Sequence, residues 1–459
     1  MNPRWMLLVG FVLTLNIGLV SAAAPQTTRR PNIVYILADD LGWTDLGCMG
    51  SKYYETPNID RLAGQGMRFT NNHNAQNCAP TRAVLMSGQY APRTGVYTVD
   101  SLERGEAGAR KMNVPQNVTN LPLDRKTVAD QLKAAGYATG MFGKWHLGQE
   151  GEYHPSRRGF DEAIVSMGRH FDFVTAPRVE YPAGAYLADF LTDKALDFIQ
   201  RHRDQPFFLY LPHFAVHVPH QAKPELIERF EKKPGSGGHD SPVYAAMIAS
   251  VDESVGRVLA KLDELKLAES TLVIFSSDNG GVGGYEELGW KGITNNAPLR
   301  GGKGMLYEGG VRVPFIVRWP GVVRPGTTCD ELTAHIDFYP TLLEVAGAPR
   351  PPQVLDGVSL VPLLKDPKVR LRREAFYVHF PGYLEGQKQW RTTPVGTIHQ
   401  GDWKLLEFFE SGRLELYDLR EDPREKNDLA AKMPEKAKEL RTRLSVWRKE
   451  LNAAMPLPK

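Results

Sequence analysis

The sequence of 459 residues has few cysteines, namely Cys48, Cys78 and Cys329. A set this sparse and odd in number excludes a disulfide framework, because at most one bridge can form and at least one cysteine stays unpaired. The chain also lacks internal repeats. Its length is too great for one minimal domain and favours a large domain followed by a smaller one.

An excess of one charge is missing as well, since 56 basic residues stand against 53 acidic ones. No dense run of lysine and arginine with interleaved aromatic residues occurs, which excludes an extended nucleic-acid interface. The glycine-rich pattern that cradles nucleotide phosphates is absent, so nucleotide transfer is not favoured. Any recognition of an anion is therefore expected to be local.

Long apolar runs are scarce, and the clearest one, residues 6–20, lies near the N-terminus. Arg4 precedes it and small residues follow it at 21–24, a pattern typical of a secretory signal peptide. Residues 1–24 are therefore predicted to be a signal peptide, and the protein to be exported to the periplasm or secreted. An uncleaved membrane anchor is the alternative, but the run is short and Asn16 interrupts it, so no stable membrane insertion is expected.

Between residues 25 and 365, short apolar runs alternate with segments of helical period. This alternation predicts an α/β fold in which helices sandwich a large, mixed, mostly parallel sheet. Two long helices with an apolar face are expected at 186–203 and 241–265. The main predicted strands are residues 32–38, 137–142, 207–211, 271–276 and 313–318.

A proline-rich stretch at 349–352 precedes a change in pattern. Residues 366–459 are predicted to form a smaller C-terminal subdomain, because short alternating runs from about residue 375 suit an antiparallel sheet. The apolar positions Leu440, Leu444, Trp447 and Leu451 then predict a terminal amphipathic helix that packs on that sheet.

Polar side chains follow four of the predicted strands. Right-handed crossovers place the carboxyl ends of parallel strands at one edge of a sheet, where ligands bind. Each residue can separately cap a helix or end a turn, but four such ends favour one shared site. The residues are Asp39 and Asp40, Lys144 and His146, His217, and Asp278 and Asn279.

The acids and the amide at these ends, Asp39, Asp40, Asp278 and Asn279, supply only oxygen atoms. Hard divalent cations such as Ca²⁺ or Mg²⁺ prefer such ligands, whereas zinc more often recruits histidine or cysteine. Three carboxylates at one place repel one another unless a cation or protons neutralise them. These residues therefore predict a metal site.

The segment around Cys78 is a second candidate, with Pro80 and Arg82 close behind the thiol. Proline suits the first turn of a helix, so Cys78 is expected at the positive end of a helix dipole, with Arg82 as a forked cation. A small buried cysteine at a turn is the alternative. Together with Lys144 and Lys303, this arrangement suits a tetrahedral oxyanion, and His146 and His217 can move protons near neutral pH.

Residues 78–82, Cys-Ala-Pro-Thr-Arg, resemble the C-x-P-x-R signature of type I sulfatases in the alkaline phosphatase superfamily. The resemblance extends over residues 31 to about 320, and the tail around 415–423 is similar to the C-terminal subdomain of the family. It implies an alkaline phosphatase-like fold and an arylsulfatase-like sulfuric ester hydrolase. The supporting motifs are Pro31-Asn32-Ile33 before Asp39-Asp40, residues 143–148 (Gly-Lys-Trp-His-Leu-Gly), residues 277–280 (Ser-Asp-Asn-Gly) and residues 302–304 (Gly-Lys-Gly).

The resemblance also implies that Cys78 is converted to formylglycine by a formylglycine-generating or equivalent maturation enzyme. The hydrate of this aldehyde is then the nucleophile: one oxygen attacks sulfur, and the second collapses to the aldehyde as sulfate leaves. One Ca²⁺ is implied as cofactor, to polarise the hydrate and hold a sulfate oxygen. Its implied ligands are Asp39, Asp40, Asp278, Asn279 and the modified residue 78.

By the same resemblance, Arg82 holds the nucleophile in place, and Lys144 and Lys303 neutralise the developing charge on sulfate. His217 and Lys303 are candidates for protonating the departing oxygen, and His146 is the candidate base for releasing sulfate. A serine contact that the family often adds after the Lys-x-His segment has no clear counterpart here. The residues considered for it are Ser166, Arg169 and His170.

The expected substrate is a sulfated glycan or an aryl sulfate. A phosphate or phosphonate ester hydrolase with the same modified cysteine, and a calcium-dependent glycan-binding protein with unmodified Cys78, are the alternatives. Selectivity is expected to come from residues 95–122 and from the 283–300 loop with Trp290 and Lys291. Further candidates for it are Tyr383, Trp390 and Arg391.

Overall fold

The computed structural model describes residues 30–459. The predicted signal peptide at 1–24 lies outside the described residues, so export stays a prediction. Within residues 30–459, none of the helices combines the length and apolar character that a bilayer crossing requires.

In the described part of the chain, nine strands form one sheet in the order β9-β2-β8-β7-β1-β6-β3-β4-β5. The central strands β7, β1, β6, β3 and β4 are parallel, and antiparallel pairs occur only towards the two edges. The prediction of a mixed, mostly parallel sheet is therefore confirmed. The strands are Asn32–Ala38 (β1), Met67–Phe69 (β2), Ala138–Gly143 (β3), Glu162–Ser166 (β4), Thr175–Ala176 (β5), Phe207–Pro212 (β6), Thr271–Ser277 (β7), Phe315–Arg318 (β8) and Thr327–Cys329 (β9).

Strand β1 is buried on both faces, as its continuous apolar sequence predicts. Successive side chains of a strand point to opposite faces, so Val34 and Ile36 pack in one core while Ile33 and Tyr35 pack in the other. The parallel partners β6 and β7 flank β1 along its length. The ends of these three strands are thereby fixed side by side.

Helices cover both faces of this sheet, which confirms the predicted sandwich. The helices α1, α5, α6 and α7 contribute to one core, and α2, α4, α9 and α10 contribute to the other. The helices of residues 30–459 are Pro57–Gln65 (α1), Cys78–Ser87 (α2), Ala91–Thr94 (α3), Val128–Ala134 (α4), Leu187–Arg201 (α5), Pro224–Glu231 (α6), Pro242–Glu264 (α7), Glu308–Val311 (α8), Phe338–Ala346 (α9), Val361–Lys365 (α10) and Pro434–Glu450 (α11).

The C-terminal part contains the predicted antiparallel sheet, in the order β10-β13-β14-β15, and α11 packs on it. A hairpin of β11 and β12, which the sequence did not predict, forms a separate two-stranded sheet. Two-residue strands pair Asn72–His73 with Thr333–Ala334 and Met112–Asn113 with Leu457–Pro458. The C-terminal strands are Phe376–Phe380 (β10), Leu384–Gly386 (β11), Gln389–Thr392 (β12), Val395–Gln400 (β13), Trp403–Phe408 (β14) and Leu414–Asp418 (β15).

A buried charge cluster joins the C-terminal sheet to α8. The Glu308 carboxylate lies 2.8 Å from Lys404 Nζ and 2.9 Å from His73 Nε2. Glu425 accepts a hydrogen bond from the Glu308 backbone N–H at 2.6 Å, and its other oxygen lies 2.8 Å from Lys404 Nζ. Because the two parts share this buried interface, the division at residue 365 stays a prediction.

The free energy of unfolding is expected to depend on pH through Glu425. Burial raises the pKa of Glu425 from 4.5 to about 7, although the Lys404 ammonium lowers it in part. The folded protein therefore holds this proton more tightly than the unfolded chain, and the stabilisation is lost as the pH rises through about 7. Glu425→Gln removes the titration. The Tm of the variant minus the Tm of the wild type should therefore increase between about pH 5 and pH 8.

Differential scanning fluorimetry across this pH range measures the effect. The matched control is Glu374→Gln, because Glu374 is exposed with 91% of its side chain accessible. A Tm difference for Glu425→Gln that is the same at every pH would contradict the prediction.

Candidate active site

The four strands whose ends carry polar residues are neighbours in the sheet, in the order β7-β1-β6-β3. Asp39 and Asp40 follow β1, and Asp278 and Asn279 follow β7. Lys144 and His146 follow β3, while His217 lies five residues beyond the end of β6. The predicted convergence at one sheet edge is therefore present, and α2 brings Cys78 to the same place.

Cys78 is the first residue of α2 and is 1% exposed. Its Sγ lies 3.4 Å from Asp39 Oδ1 and 3.9 Å from Asp40 Oδ1. Burial, together with the Asp39 charge, raises the pKa of the Cys78 thiol well above its ordinary value. The positive helix end thus does not produce a thiolate here, and an unmodified Cys78 is a weak nucleophile.

Three buried carboxylates face three cations at the centre of the site. Each acid has one close basic partner, so the cluster is electrically balanced within the protein alone. The pairs are Asp39 with Lys144 at 2.5 Å, Asp40 with Lys303 at 2.7 Å, and Asp278 with Arg82 at 2.7 Å.

The carboxylates differ in how well their charges are compensated. Burial and the Asp39 charge raise the pKa of Asp278 to about 6, although Arg82 lowers it in part. Burial also acts to raise the pKa of Asp40, but Lys303 and the neighbouring basic groups together outweigh it and leave this pKa below its ordinary value. The Asp278 side of the cluster is therefore short of positive charge.

The oxygen donors present fit a hard divalent cation. Asp39 and Asp40 offer ligand atoms that lie within 4.8 Å of one another and of those of Cys78 and His217, whereas Asp278 is not part of this group and its Oδ2 accepts from Arg82. Asn279 donates through Nδ2 to Asp40 Oδ1 at 2.9 Å, while its buried Oδ1 has no hydrogen-bond partner. An unpaired amide oxygen beside several carboxylates is the donor chemistry that Ca²⁺ or Mg²⁺ binds.

Arg82 lies beneath the site and binds groups of the protein itself. Its Nε and Nη2 donate to Asp278 Oδ2 at 3.1 and 2.7 Å, and its Nη1 donates to the Lys144 carbonyl at 2.6 Å. The guanidinium is fully buried beneath the site and does not line the cavity. It therefore orients the carboxylates and Lys144 rather than presenting a charge to a substrate.

The histidines are neutral at neutral pH, while Lys303 is charged. Burial and the nearby Lys144 lower the pKa of His146 well below its ordinary value. Burial lowers the pKa of His217 to about 4, although the Asp40 charge acts in the opposite direction. For Lys303, burial alone would lower the pKa, but the Asp40 carboxylate raises it above its ordinary value.

The tautomer of His217 follows from its contacts. Its Nδ1 lies 2.7 Å from the Val218 carbonyl oxygen, which can only accept, so Nδ1 carries the proton. Its Nε2, 3.7 Å from Asp40, is then an acceptor facing the site. His170 fixes the backbone of this segment, since its Nε2 donates to the His217 carbonyl at 2.8 Å.

None of the three residues considered for the family's serine contact lines the cavity beside Cys78. The Ser166 hydroxyl donates to the Val174 carbonyl at 2.9 Å, Arg169 is exposed, and His170 is buried. His170 therefore has a supporting role, different from the substrate contact for which the sequence made it a candidate. No pattern in the sequence indicates it, because its role depends on a backbone contact between distant segments.

A cavity of about 300 Å³ opens beside Cys78. Its catalytic side is formed by Lys144, His146, His217 and Lys303. The other side chains that line the cavity are Asn77, Val99, Arg104, Met167, Phe214, Val218, Leu384, Glu385 and Arg391.

The segments predicted to control selectivity contribute to this wall unequally. Residues 95–122 supply Val99 and Arg104, and Arg391 also lines the cavity. Tyr383 does not, because it is fully buried and its hydroxyl donates to Glu410 Oε1 at 2.5 Å. Lys291 pairs with Asp240, outside the cavity lining. Trp390 lines a neighbouring cleft of about 900 Å³, which shares Arg391 with this cavity and has none of the predicted catalytic or metal-binding residues in its lining.

Comparison with known families agrees with this geometry. The family model described as Sulfatase matches residues 31–348, and the model described as N-sulphoglucosamine sulphohydrolase, C-terminal, matches residues 302–451. The first match covers more than half of the chain. Its span includes every residue predicted to take part in catalysis or metal binding.

Individual relatives cover most of the chain. A protein described as a sulfatase from Formosa agariphila is 35% identical, over 94% of this chain and 91% of that protein. Human N-acetylgalactosamine-6-sulfatase is also 35% identical, over 78% of this chain and 70% of its own. The crystal structure of Ps i-CgsB in complex with k-i-k-neocarrahexaose has a TM-score of 0.78 and 29% identity, covering 91% of this chain and 93% of that one. The chain belongs to the sulfatase family of the alkaline phosphatase superfamily and is a sulfuric ester hydrolase.

Proposed function

We propose that this protein is an exported, calcium-dependent sulfatase that removes sulfate monoesters from sulfated carbohydrates through a formylglycine made from Cys78. The observation that carries the proposal is the position of Cys78. It lies at the start of α2, within 3.9 Å of two carboxylates of a three-acid, three-cation cluster. The relatives named for N-acetylgalactosamine 6-sulfate and crystallised with neocarrahexaose support a carbohydrate substrate.

Residue 78 must be modified for this chemistry, because burial keeps its thiol protonated. As a formylglycine hydrate it supplies the attacking oxygen, together with a second hydroxyl whose collapse releases sulfate. Asp39, Asp40, Asp278 and Asn279 would hold Ca²⁺, which supplies Lewis-acid polarisation at this position. Asp39 Oδ1, 3.4 Å from Cys78 Sγ, is placed to accept a proton from the hydrate.

The lysines bind the sulfate and hold the proton needed by the leaving group. Lys144 and Lys303 both line the cavity, and their charges offset those that develop on the sulfate oxygens. Lys303 and His217 both line the cavity and are the candidates for protonating the departing oxygen, and Lys303 already carries a proton at neutral pH. His146, kept neutral by burial and Lys144, is free to accept a proton when sulfate is released.

Turnover of a matched substrate set tests the activity. The matured enzyme is expected to hydrolyse an aryl sulfate faster than the corresponding aryl phosphate monoester or phosphodiester. Chelation of calcium is expected to remove this activity, and added Ca²⁺ to restore it. Preferred cleavage of either phosphorus ester would favour the phosphate or phosphonate ester hydrolase instead.

Mass spectrometry of the peptide that contains residue 78 tests the modification. Conversion to formylglycine replaces the thiol-bearing methylene of cysteine by an aldehyde. The mass of the peptide falls by the difference between the two groups. A peptide that carries only intact cysteine, in protein that binds sulfated glycans without hydrolysing them, would favour the non-catalytic glycan-binding alternative.

A further inference from the structure

Two guanidinium groups on the cavity wall have no use in the reaction described above. Arg104 and Arg391 line the same cavity as Cys78. Neither forms an ion pair with a carboxylate among residues 30–459, whereas the catalytic cations Lys144 and Lys303 each do. A cation that faces a ligand cavity without an internal counter-charge is free to bind an anionic group of the ligand.

The position of Arg391 is built by its surroundings. Its guanidinium lies 4.9 Å from the ring centroid of Tyr285 and 5.1 Å from that of Trp290. Gly386 leaves room for it, since a Cβ at that position would lie 2.4 Å from Arg391 Nε. This Nε is buried without a hydrogen-bond partner. The aromatic rings fix the direction of the guanidinium and leave a donor unsatisfied.

Tyr285 also connects Arg391 to the loop that carries Lys303. The Tyr285 hydroxyl donates to the Lys303 carbonyl at 2.7 Å. The Arg391 Cδ lies 3.3 Å from the point where a Cβ on Gly304 would be, so the arginine stem passes directly over the Lys303 segment. Arg391 is therefore held at a fixed place relative to the ammonium that binds sulfate.

Arg104 approaches the cavity from the 95–122 segment. Its Nη2 donates to the Val99 carbonyl at 2.5 Å, which leaves its remaining N–H groups for other partners. Glu385 is the one acidic residue among the cavity-lining side chains of the described chain, and it pairs with neither arginine. Two guanidinium groups against one carboxylate leave a single excess positive charge on this wall.

We propose that the cavity accepts a sulfate monoester whose sugar carries a second anionic group, and that Arg391 and Arg104 bind that group. This inference rests on the proposed sulfatase function and specifies its substrate class. A volume of about 300 Å³ is at the small end of ligand pockets, so one sulfated ring fills most of it. The second anion is a carboxylate or a second sulfate on the same ring or its neighbour, and a planar guanidinium can bind either through two parallel hydrogen bonds.

Four substrates separate the possibilities, and the three sugars among them release the same sugar hydroxyl. They are an aryl monosulfate, a neutral sugar with one sulfate, the same sugar with two sulfates, and a monosulfated sugar linked to a uronic acid. The matured wild-type enzyme is expected to show a kcat/KM about tenfold or more higher for a doubly anionic sugar than for the neutral monosulfated one. The better of the last two substrates identifies the second anion.

Arginine variants assign the effect to this wall. Arg391→Gln is expected to lower kcat/KM for the doubly anionic substrate by about 10- to 100-fold, mainly through a higher KM. The ratio of kcat/KM for this substrate to kcat/KM for the aryl monosulfate should fall as well. Arg104→Gln should act in the same direction and carries the same test if the first variant does not fold. Lys388→Gln, an exposed cation in the turn of the same hairpin, is the matched control and should leave the ratio unchanged.

The outcomes distinguish the two proposals. Failure of matured enzyme to cleave any of the sulfates would overturn the proposed function. Cleavage of the aryl sulfate with no advantage for a second anion, or an equal loss on all four substrates in both arginine variants, would overturn only the inference about the wall.

Discussion

Replacing Cys78 with alanine is expected to abolish sulfate ester turnover while leaving the fold and most of the calcium binding in place. The proposed reaction needs an attacking oxygen on residue 78, and alanine can neither be oxidised to an aldehyde nor form its hydrate. The substitution removes only Sγ, whose contacts are at 3.4 Å to Asp39 and 3.9 Å to Asp40. Both carboxylates keep their lysine partners, so the cluster retains its charge balance.

Three measurements on one preparation check this expectation. Aryl sulfate turnover should fall below detection, circular dichroism should be unchanged, and calcium titration should show at most a modest loss of affinity. Cys329→Ala is the matched control, because Cys329 is also 1% exposed but lies in β9, at the far edge of the sheet. Normal turnover by Cys78→Ala would overturn the assignment of residue 78 as the nucleophile.

The sequence was sufficient to predict the convergence of the catalytic residues, for a physical reason. Strands such as β1 and β7 are buried on both faces and read as continuous apolar runs, so their ends are easily located. Parallel pairing then places those ends at one edge. The positions of Asp39 and Asp278 follow from these two facts, before any side-chain contact is known.

The features that the sequence did not predict depend on contacts between distant segments. The β11–β12 hairpin has the polar residues Gln387, Lys388 and Gln389 at its tip, so it shows no apolar alternation, yet it brings Arg391 to the cavity. The sequence indicated that Arg82 is a cation close to Cys78, but not that its guanidinium binds the carboxylate of Asp278. Such choices between competing partners are decided by tertiary packing rather than by local pattern.

Arg82→Met is expected to inactivate the enzyme and to lower the free energy of unfolding by about 3–5 kcal/mol in calcium-free buffer. The reason is that Asp278 would lose its close cationic partner while remaining buried beside the negative Asp39. The pKa of Asp278 is already raised to about 6 with Arg82 present, so its charge has little further compensation. Urea unfolding with and without Ca²⁺ measures the loss.

Calcium should restore more stability to Arg82→Met than to the wild type, since a bound cation replaces part of the missing charge. Arg82→Lys is the matched control: it keeps the charge but loses the fork that donates twice to Asp278, and its loss of stability should be smaller. A wild-type free energy of unfolding for Arg82→Met without calcium would contradict the balance of three acids against three cations.

The double variant Arg82→Met with Asp278→Asn separates stability from catalysis. Removing both partners of a buried ion pair costs much less than removing one, because no uncompensated charge remains. The double variant should therefore regain much of the stability that Arg82→Met loses, while staying inactive because Asp278 no longer supplies a carboxylate to the metal site. Recovery of stability without recovery of turnover would show that the instability of Arg82→Met comes from the uncompensated charge of Asp278, and that turnover still needs the Asp278 carboxylate.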